Sequence, residues 1–167
     1  MAEKVRELVL DPNLPLNSTS QSLLYLAARS EHVEKVICPA LEAGKLVLCD
    51  RFSDSTLVYQ GLSLGKELAE LTALRQLCSF ATAGLEPDLT IVLDGRPEEL
   101  AQRRELRGVT DRYEQQGLAF QRRLRNGFLT LAKLEPERIR VLNAEGSRET
   151  VAEAVQKALL PLLQEAE

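Results

Sequence analysis

An acidic and a basic residue stand side by side where an apolar run ends. Asp50 and Arg51 directly follow residues 46–49, LVLC. A carboxylate at this point could hold Mg²⁺ directly or through water. The adjacent guanidinium could bind a phosphate through two parallel hydrogen bonds. A salt bridge at a strand end is the commoner explanation of an isolated Asp-Arg pair, so the pair alone leaves both interpretations open.

Hydroxyl, aromatic and amide groups follow within the next ten residues. Ser55 and Thr56 precede Tyr59 and Gln60, and Gly61 ends the stretch. Either hydroxyl could simply cap a helical turn. A cap does not explain the aromatic ring and the amide that follow at once, because these groups suit a sugar and the edge of a nucleobase.

A second candidate pair lies earlier in the chain. Tyr25 and Arg29 are four residues apart, so they share one face of a predicted helix. A base could stack on Tyr25 while Arg29 donates to its carbonyl oxygen. Taken alone, each residue is better explained by a tyrosine stem in the core and a surface arginine.

Arginines are concentrated near residues 103–112, although the formal net charge is -4. The group consists of Arg103, Arg104, Arg107 and Arg112. A solvated basic face is the usual explanation, but fixed positive charge around a transferring phosphoryl group is the alternative. A further group, Arg122, Arg123 and Arg125, is interpreted as a surface face or an interface.

Composition restricts the class of protein. The 167 residues are 44% hydrophobic and 28% charged, which suits one globular domain. The acidic balance argues against nonspecific nucleic-acid binding. Three scattered cysteines and a single histidine, His32, predict a reduced, cytoplasmic environment without structural zinc. No apolar run is long enough to span a membrane.

The apolar patterns predict an α/β domain with a parallel sheet covered on both faces. The predicted strands are 45–49, 89–94 and 139–143. The predicted helices are 2–10, 20–43 with a kink at Pro39, 66–81, 97–106, 115–134 and 148–165. In such sheets a ligand lies beyond the carboxyl ends of the strands. Asp50 and the segment LDGRPEE, which begins at Leu93, follow two such ends.

Taken together, these residues resemble bacterial thymidylate kinase (dTMP kinase), a nucleoside monophosphate kinase of the P-loop class. The blocks that carry the resemblance are AEKVRELVLD, LLYLAAR, EKVICPALEAGKLVLCDRFSDSTLVYQG, PDLTIVLD and DRYE, in family order. The resemblance covers nearly the whole chain. It implies a single P-loop-kinase-like domain that transfers the γ-phosphate of ATP to dTMP with Mg²⁺, and a homodimer packed through helices.

The resemblance also implies roles for individual residues. Tyr25 matches the aromatic that stacks on thymine, and Arg29 the arginine that binds a thymine carbonyl. Arg51 matches the ligand of the dTMP phosphate. Thr56 would meet the base edge, and Tyr59 would lie near the sugar and disfavour a 2′-hydroxyl. Ser55 and Gln60 would line the same site, and Asp50 would contact Mg²⁺ through water.

A lid at about residues 103–113 is implied as well, in which Arg103, Arg107 and Arg112 would cover the donor. Glu105 stands where some members carry another lid arginine, so the family pattern is only partly kept. The segment GLSLGK, residues 61–66, is not a P-loop, because its glycines are too close and Glu67 replaces Ser or Thr.

The front of the family pattern, a strand with the P-loop, a helix and a second strand, does not occur in these residues. The resemblance therefore implies a domain that lacks its first two strands, and we expect little or no kinase activity from this chain alone. Without the P-loop strand, two of the remaining strands would lose a hydrogen-bonding neighbour. The alternative is a non-catalytic remnant that binds a nucleotide or a partner. A third interpretation keeps the kinase but assigns another deoxynucleoside monophosphate.

Overall fold

The computed structural model describes residues 2–11, 13–105, 113 and 116–165. For residues 2, 6, 68, 102–105 and 165 only the backbone is described. The chain divides into two compact units, one of residues 1–86 and 111–116 and one of residues 87–110 and 117–167. No helix of the described residues has both the length and the apolar character that a membrane crossing needs.

The first unit is helical wherever its described residues have regular structure. Its helices are α1 (Ala2–Leu10), α2 (Ser18–His32), a π-helical turn (Val33–Ile37), α3 (Cys38–Glu42), α4 (Ser53–Tyr59), a 3₁₀ turn (Leu62–Leu64) and α5 (Leu68–Ala81). Helices α2 and α4 both pack against α5. The shared apolar core includes Leu26, Leu57, Val58, Leu74 and Cys78.

The long helix predicted for residues 20–43 is present but interrupted. The N–H of Cys38 donates to the carbonyl of Val33, five residues back, and this wider turn precedes Pro39 at the start of α3. Proline has no N–H to donate, so a wider turn at this point accommodates it without breaking the helical path. Gly44, with φ of 70°, ends the helix as predicted.

The predicted strand at residues 45–49 is wrong. This segment has no regular secondary structure, and Leu46 and Leu48 are 60% and 77% exposed. A strand exists only where its backbone N–H and C=O groups pair with a neighbour. Among the described residues, the two strands that form are hydrogen-bonded to each other, so an apolar run alone was insufficient evidence.

The second unit contains the parallel sheet that the sequence predicts. Strand β1 (Thr90–Asp94) pairs with β2 (Ile139–Asn143), in the register Thr90 to Ile139 and Asp94 to Asn143. The helices are α6 (Pro97–Glu105), α7 (Gly117–Leu134) and α8 (Arg148–Glu165). Helices α7 and α8 pack against β2. The α/β class and the parallel pairing are confirmed.

The expected coverage of both sheet faces is wrong for these strands. Leu93 in β1 is 50% exposed and Val141 in β2 is 42% exposed, whereas Ile139 is buried. The core of this unit lies under α7, where Phe120, Leu124 and Leu131 are buried. A continuous apolar run indicates a strand, but it does not indicate how many helices cover it.

Candidate functional site

Arg29 connects helix α2 to the start of α4 in the first unit. Its Nη1 donates to Oγ1 of Thr56 at 2.8 Å, and its Nη2 donates to the carbonyl of Phe52 at 3.1 Å. Its guanidinium carbon lies 5.3 Å from the centroid of the Phe52 ring. Burial lowers the pKa of Arg29 below its ordinary value, but an arginine in a protein keeps its charge. The group is therefore a fixed, charged donor.

Thr56 is buried in α4, where its hydroxyl accepts the bond from Arg29. The alternative in which Ser55 or Thr56 caps the helix is wrong. The helix begins at Ser53 after Phe52, and no side chain caps its N-terminus. Thr56 lies inside the helix, facing α2, so its hydroxyl orients the guanidinium rather than the backbone.

Gly61 follows α4 at a point where the chain passes close to the last turn of that helix. A Cβ atom at this position would lie 2.4 Å from the carbonyl oxygen of Leu57 and 2.6 Å from Cδ2 of Leu71. Separations this short require the backbone or the packing to shift. The glycine that ends the stretch 48–61 is therefore required by packing.

Arg51 has a left-handed backbone conformation, with φ of 69°. This conformation is uncommon outside glycine and costs free energy that the surrounding structure must offset. Its carbonyl accepts a long hydrogen bond, 3.6 Å, from the Sγ of Cys49. Its guanidinium carbon lies 4.8 Å from the centroid of the Tyr59 ring, which holds an exposed cation above an aromatic face.

Tyr113 joins the ring of Tyr59 to two buried amides. The two tyrosine rings meet edge to face, with centroids 5.1 Å apart and planes at 85°. The Nε2 of Gln60 donates to the Tyr113 hydroxyl at 3.2 Å, and that hydroxyl donates to Oε1 of Gln21 at 3.1 Å. Gln60 is 3% exposed, so its amide is buried where it meets Tyr113.

The remaining predicted residues in this unit lie on the same elements. Tyr25 is half-buried on α2, one helical turn before Arg29, and Ser55 is half-buried on α4. Asp50 is exposed next to Arg51. Among the described residues, no three His, Cys, Asp or Glu side chains cluster as metal ligands. A single exposed carboxylate fits Mg²⁺ of the kind held mainly by water and substrate phosphates.

The predicted lid residues are beyond what the structure describes. Arg103 and Arg104 belong to α6, but their side chains lie outside the described residues, as do Arg107 and Arg112 entirely.

Sequence reasoning missed Gln21, Phe52 and Tyr113. Gln21 lies on α2 four residues before Tyr25 and outside the quoted family blocks. Phe52 lies next to Arg51 within one of those blocks, but its residue type suggests no role at the site. Tyr113 belongs to the block DRYE, yet only its contacts in the folded chain connect it with Gln60, at a sequence separation of 53 residues.

A separate polar group lies at the carboxyl end of β1 in the second unit. Arg125 donates from Nε and Nη2 to the two carboxylate oxygens of Asp94 at 2.6 and 2.8 Å. The bonds from Arg125 hold the pKa of Asp94 below its ordinary value. Arg122 pairs with Glu98 nearby. The sequence interpretation places this arginine group on a surface face or an interface. In the structure, Arg125 also binds Asp94 at the end of strand β1.

Comparison with known proteins identifies the family. The thymidylate kinase family model matches residues 1–155. The chain belongs to the thymidylate kinase family. The thymidylate kinase of Deinococcus radiodurans is 47% identical over 144 residues, which cover 86% of this chain and 68% of that protein. A Synechococcus thymidylate kinase is 47% identical over 165 residues, covering 98% of this chain and 76% of that protein.

Solved structures agree with this assignment. The crystal structure of thymidylate kinase from Ehrlichia chaffeensis is similar, with a TM-score of 0.71 and 31% identity. The match covers 95% of this chain and 72% of the Ehrlichia chain. The chain therefore has an α/β, P-loop-kinase-like fold and is a kinase by family.

Proposed function

We propose that the first unit binds dTMP as the phosphate acceptor. The observation that carries this proposal is the Arg29–Thr56 hydrogen bond, which fixes a charged donor between two helices. A guanidinium has five N–H groups, and its contacts with Thr56 and Phe52 use two of them. The others are available to a carbonyl oxygen of a base stacked on Tyr25, one helical turn away.

Thymine suits this donor because its carbonyl at position 4 accepts a hydrogen bond. Cytosine presents an amino group at the same position, so two donors would face each other there. Thr56 orients Arg29 and, with Ser55 beside it, would meet the same base edge. This chemistry supports thymine over cytosine.

Arg51 and Tyr59 would bind the rest of the acceptor. Arg51 is exposed and held above the Tyr59 ring, so its N–H groups can meet a phosphate while the ring lies beside the sugar. The bulk of that ring would disfavour a 2′-hydroxyl. Gln60 supports the same wall through Tyr113.

The phosphate donor would be ATP with Mg²⁺, as membership of the family supports. The metal supplies charge neutralisation to the phosphates, and Asp50 would contact it through water. Arg103, Arg107 and Arg112 would stabilise negative charge on the transferring group. The protein's own contribution is positioning and fixed positive charge.

The 167 residues by themselves would bind dTMP but transfer phosphate slowly. They contain no GxxxxGK[ST] motif, the element that cradles nucleotide phosphates in P-loop enzymes. The chain would act in the cytoplasm as a homodimer packed through helices. Phe80 of α5, which is 87% exposed, supports a helical contact with a second copy.

Two measurements on the same preparation test the proposal. Titration calorimetry with dTMP should give saturable binding, and Tyr25→Ala should weaken it. A coupled assay with ATP, Mg²⁺ and dTMP should give turnover far below about 10 s⁻¹, the median of enzymes. A turnover number in the usual range of enzymes would contradict the expected slow phosphate transfer. Binding of dTMP with no turnover at all would support the alternative of a non-catalytic remnant. Absence of dTMP binding would contradict the proposed acceptor site.

A further inference from the structure

The hydroxyl of Tyr113 lies between two buried amides, those of Gln21 and Gln60. It contacts them at 3.1 and 3.2 Å. The amides lie in different helical segments of the first unit, at the start of α2 and directly after α4. A phenol that satisfies two buried amides from separate segments is held more firmly than a surface tyrosine.

A backbone carbonyl determines the direction of these hydrogen bonds. The Nε2 of Gln21 donates to the carbonyl of Leu16 at 2.8 Å, and a carbonyl can only accept. The other end of the Gln21 amide, Oε1, must therefore accept, so the Tyr113 hydroxyl donates to it. The phenol oxygen is then left to accept from Nε2 of Gln60, as observed.

The same phenol places its ring against Tyr59. The edge-to-face contact at 5.1 Å restricts rotation of the Tyr59 ring, on whose face Arg51 rests at 4.8 Å. From this geometry we propose that Tyr113 is a positioning residue for phosphate binding, acting on Arg51 through the ring of Tyr59. This inference rests on the proposed role of Arg51 in binding the dTMP phosphate.

Restricting Arg51 before the ligand arrives would increase affinity. An exposed arginine side chain loses rotational freedom when it binds, and part of that cost is removed if the side chain is already held. This increase in affinity applies only to ligands that carry the phosphate, because Arg51 is proposed to bind that group. Thymidine, which has the same base and sugar without a phosphate, should be nearly insensitive to Tyr113.

The test compares dTMP with thymidine by titration calorimetry on the full chain. Tyr113→Phe keeps the ring and removes the hydroxyl, and Gln21→Leu removes the acceptor of that hydroxyl. Ser22→Ala is the matched control, because it removes a buried hydroxyl of α2 whose one bond among the described residues stays within the helix, to the carbonyl of Ser18. The readout is the ratio of the two dissociation constants.

Tyr113→Phe should weaken dTMP binding by about 3- to 10-fold, the range of one neutral hydrogen bond, and leave thymidine binding nearly unchanged. Gln21→Leu removes one of the two hydrogen bonds that Tyr113→Phe removes, so it should weaken dTMP binding in the same direction and by no more than Tyr113→Phe does. The double variant should be no weaker than Tyr113→Phe alone, since the bond to Gln21 is already absent there. Ser22→Ala should leave the ratio unchanged.

Equal losses for dTMP and thymidine would mean that Tyr113 has only a structural role, and would overturn the inference. If neither variant weakens the binding of either ligand, the inference is overturned as well. If Gln21→Leu does not fold, Tyr113→Phe alone decides. If the unmodified chain binds neither ligand, the proposed acceptor site fails and the positioning role fails with it; binding with an unchanged ratio leaves the acceptor site intact.

Discussion

The guanidinium of Arg29 and the hydroxyl of Thr56 meet at 2.8 Å across 27 positions of sequence. One residue lies on α2 and the other on α4, and both helices pack against α5. Thr56 is buried, and its hydroxyl accepts this bond. This bond therefore links the two helices and orients the guanidinium that is proposed to bind the base.

Thr56→Val should destabilise the chain by about 1.5–3 kcal/mol, because a part-buried hydrogen bond to a charged group is lost. Urea unfolding measures the change. Thr82→Val is the matched control, since in the part of the chain that the structure describes the hydroxyl of this buried threonine donates to one group, the neutral carbonyl of Ser79, at 3.3 Å. Thr82→Val should destabilise the chain by about 0.5–1.5 kcal/mol. Equal losses would mean that the charge of Arg29 contributes nothing to the bond.

Gly61→Ala should destabilise the chain by about 2–3 kcal/mol, through overpacking against Leu57 and Leu71. Gly146→Ala controls for the loss of glycine itself, because its Cβ would meet Thr150 at an ordinary 3.4 Å. That variant should stay within about 0.5 kcal/mol of the unmodified chain. A neutral Gly61→Ala would show that the turn after α4 has room to relax.

Leu48→Ala should change stability by no more than about 0.5 kcal/mol, because this side chain is 77% exposed. Leu57→Ala, the same substitution at a 5% exposed position, should cost about 2–5 kcal/mol. Thermal or urea unfolding of the pair measures the contrast. A large loss of stability in Leu48→Ala would contradict the exposed position of this side chain and favour the buried strand that the sequence predicted for residues 45–49.

The Asp94–Arg125 pair should make stability depend on pH at the acidic end. The bonds from Arg125 hold the pKa of Asp94 below 3.8, its ordinary value. A lowered carboxyl pKa stabilises the fold at every pH above the unfolded value, and this contribution is lost as the pH falls through the folded value. Arg125→Met should therefore destabilise the chain at pH 7 by about 1 kcal/mol.

The difference in the free energy of unfolding between Arg125→Met and the unmodified chain should become smaller as the pH is lowered below about 4. Urea unfolding at pH 7, 5 and 3 measures it. Arg122→Met is the control, because its partner Glu98 lies at the surface and the pair is more exposed. A difference that stays constant down to pH 3 would mean that Arg125 acts through packing rather than through the charge of Asp94.

Much of the fold follows from local patterns. Strand β2 begins and ends at the predicted residues, Ile139 and Asn143, and helix α8 spans Arg148–Glu165 as predicted. These elements have apolar residues at regular spacing, and turn or cap residues mark their ends. The failure at Leu46–Cys49 has a different cause, because a strand depends on a partner that no local pattern reveals.

The candidate site was predictable in its residue types but not in its contacts. The sequence indicates Arg29, Arg51, Thr56 and Tyr59, and the structure brings them onto α2, α4 and the segment before α4. It could not indicate that Thr56 orients Arg29, since the choice between a cap and a tertiary bond depends on where α2 packs. The contribution of Tyr113 is likewise a long-range effect that depends on the folded chain.

The proposed thymine-binding role of Arg29 is tested most directly by titrating the chain with dTMP and with dCMP under identical conditions. Arg29 can only donate, so it should bind the thymine carbonyl and reject the cytosine amino group. We predict dTMP binding at least about tenfold tighter than dCMP binding, the effect of one unpaired buried donor. Equal or tighter binding of dCMP, or no saturable binding of dTMP, would contradict the account.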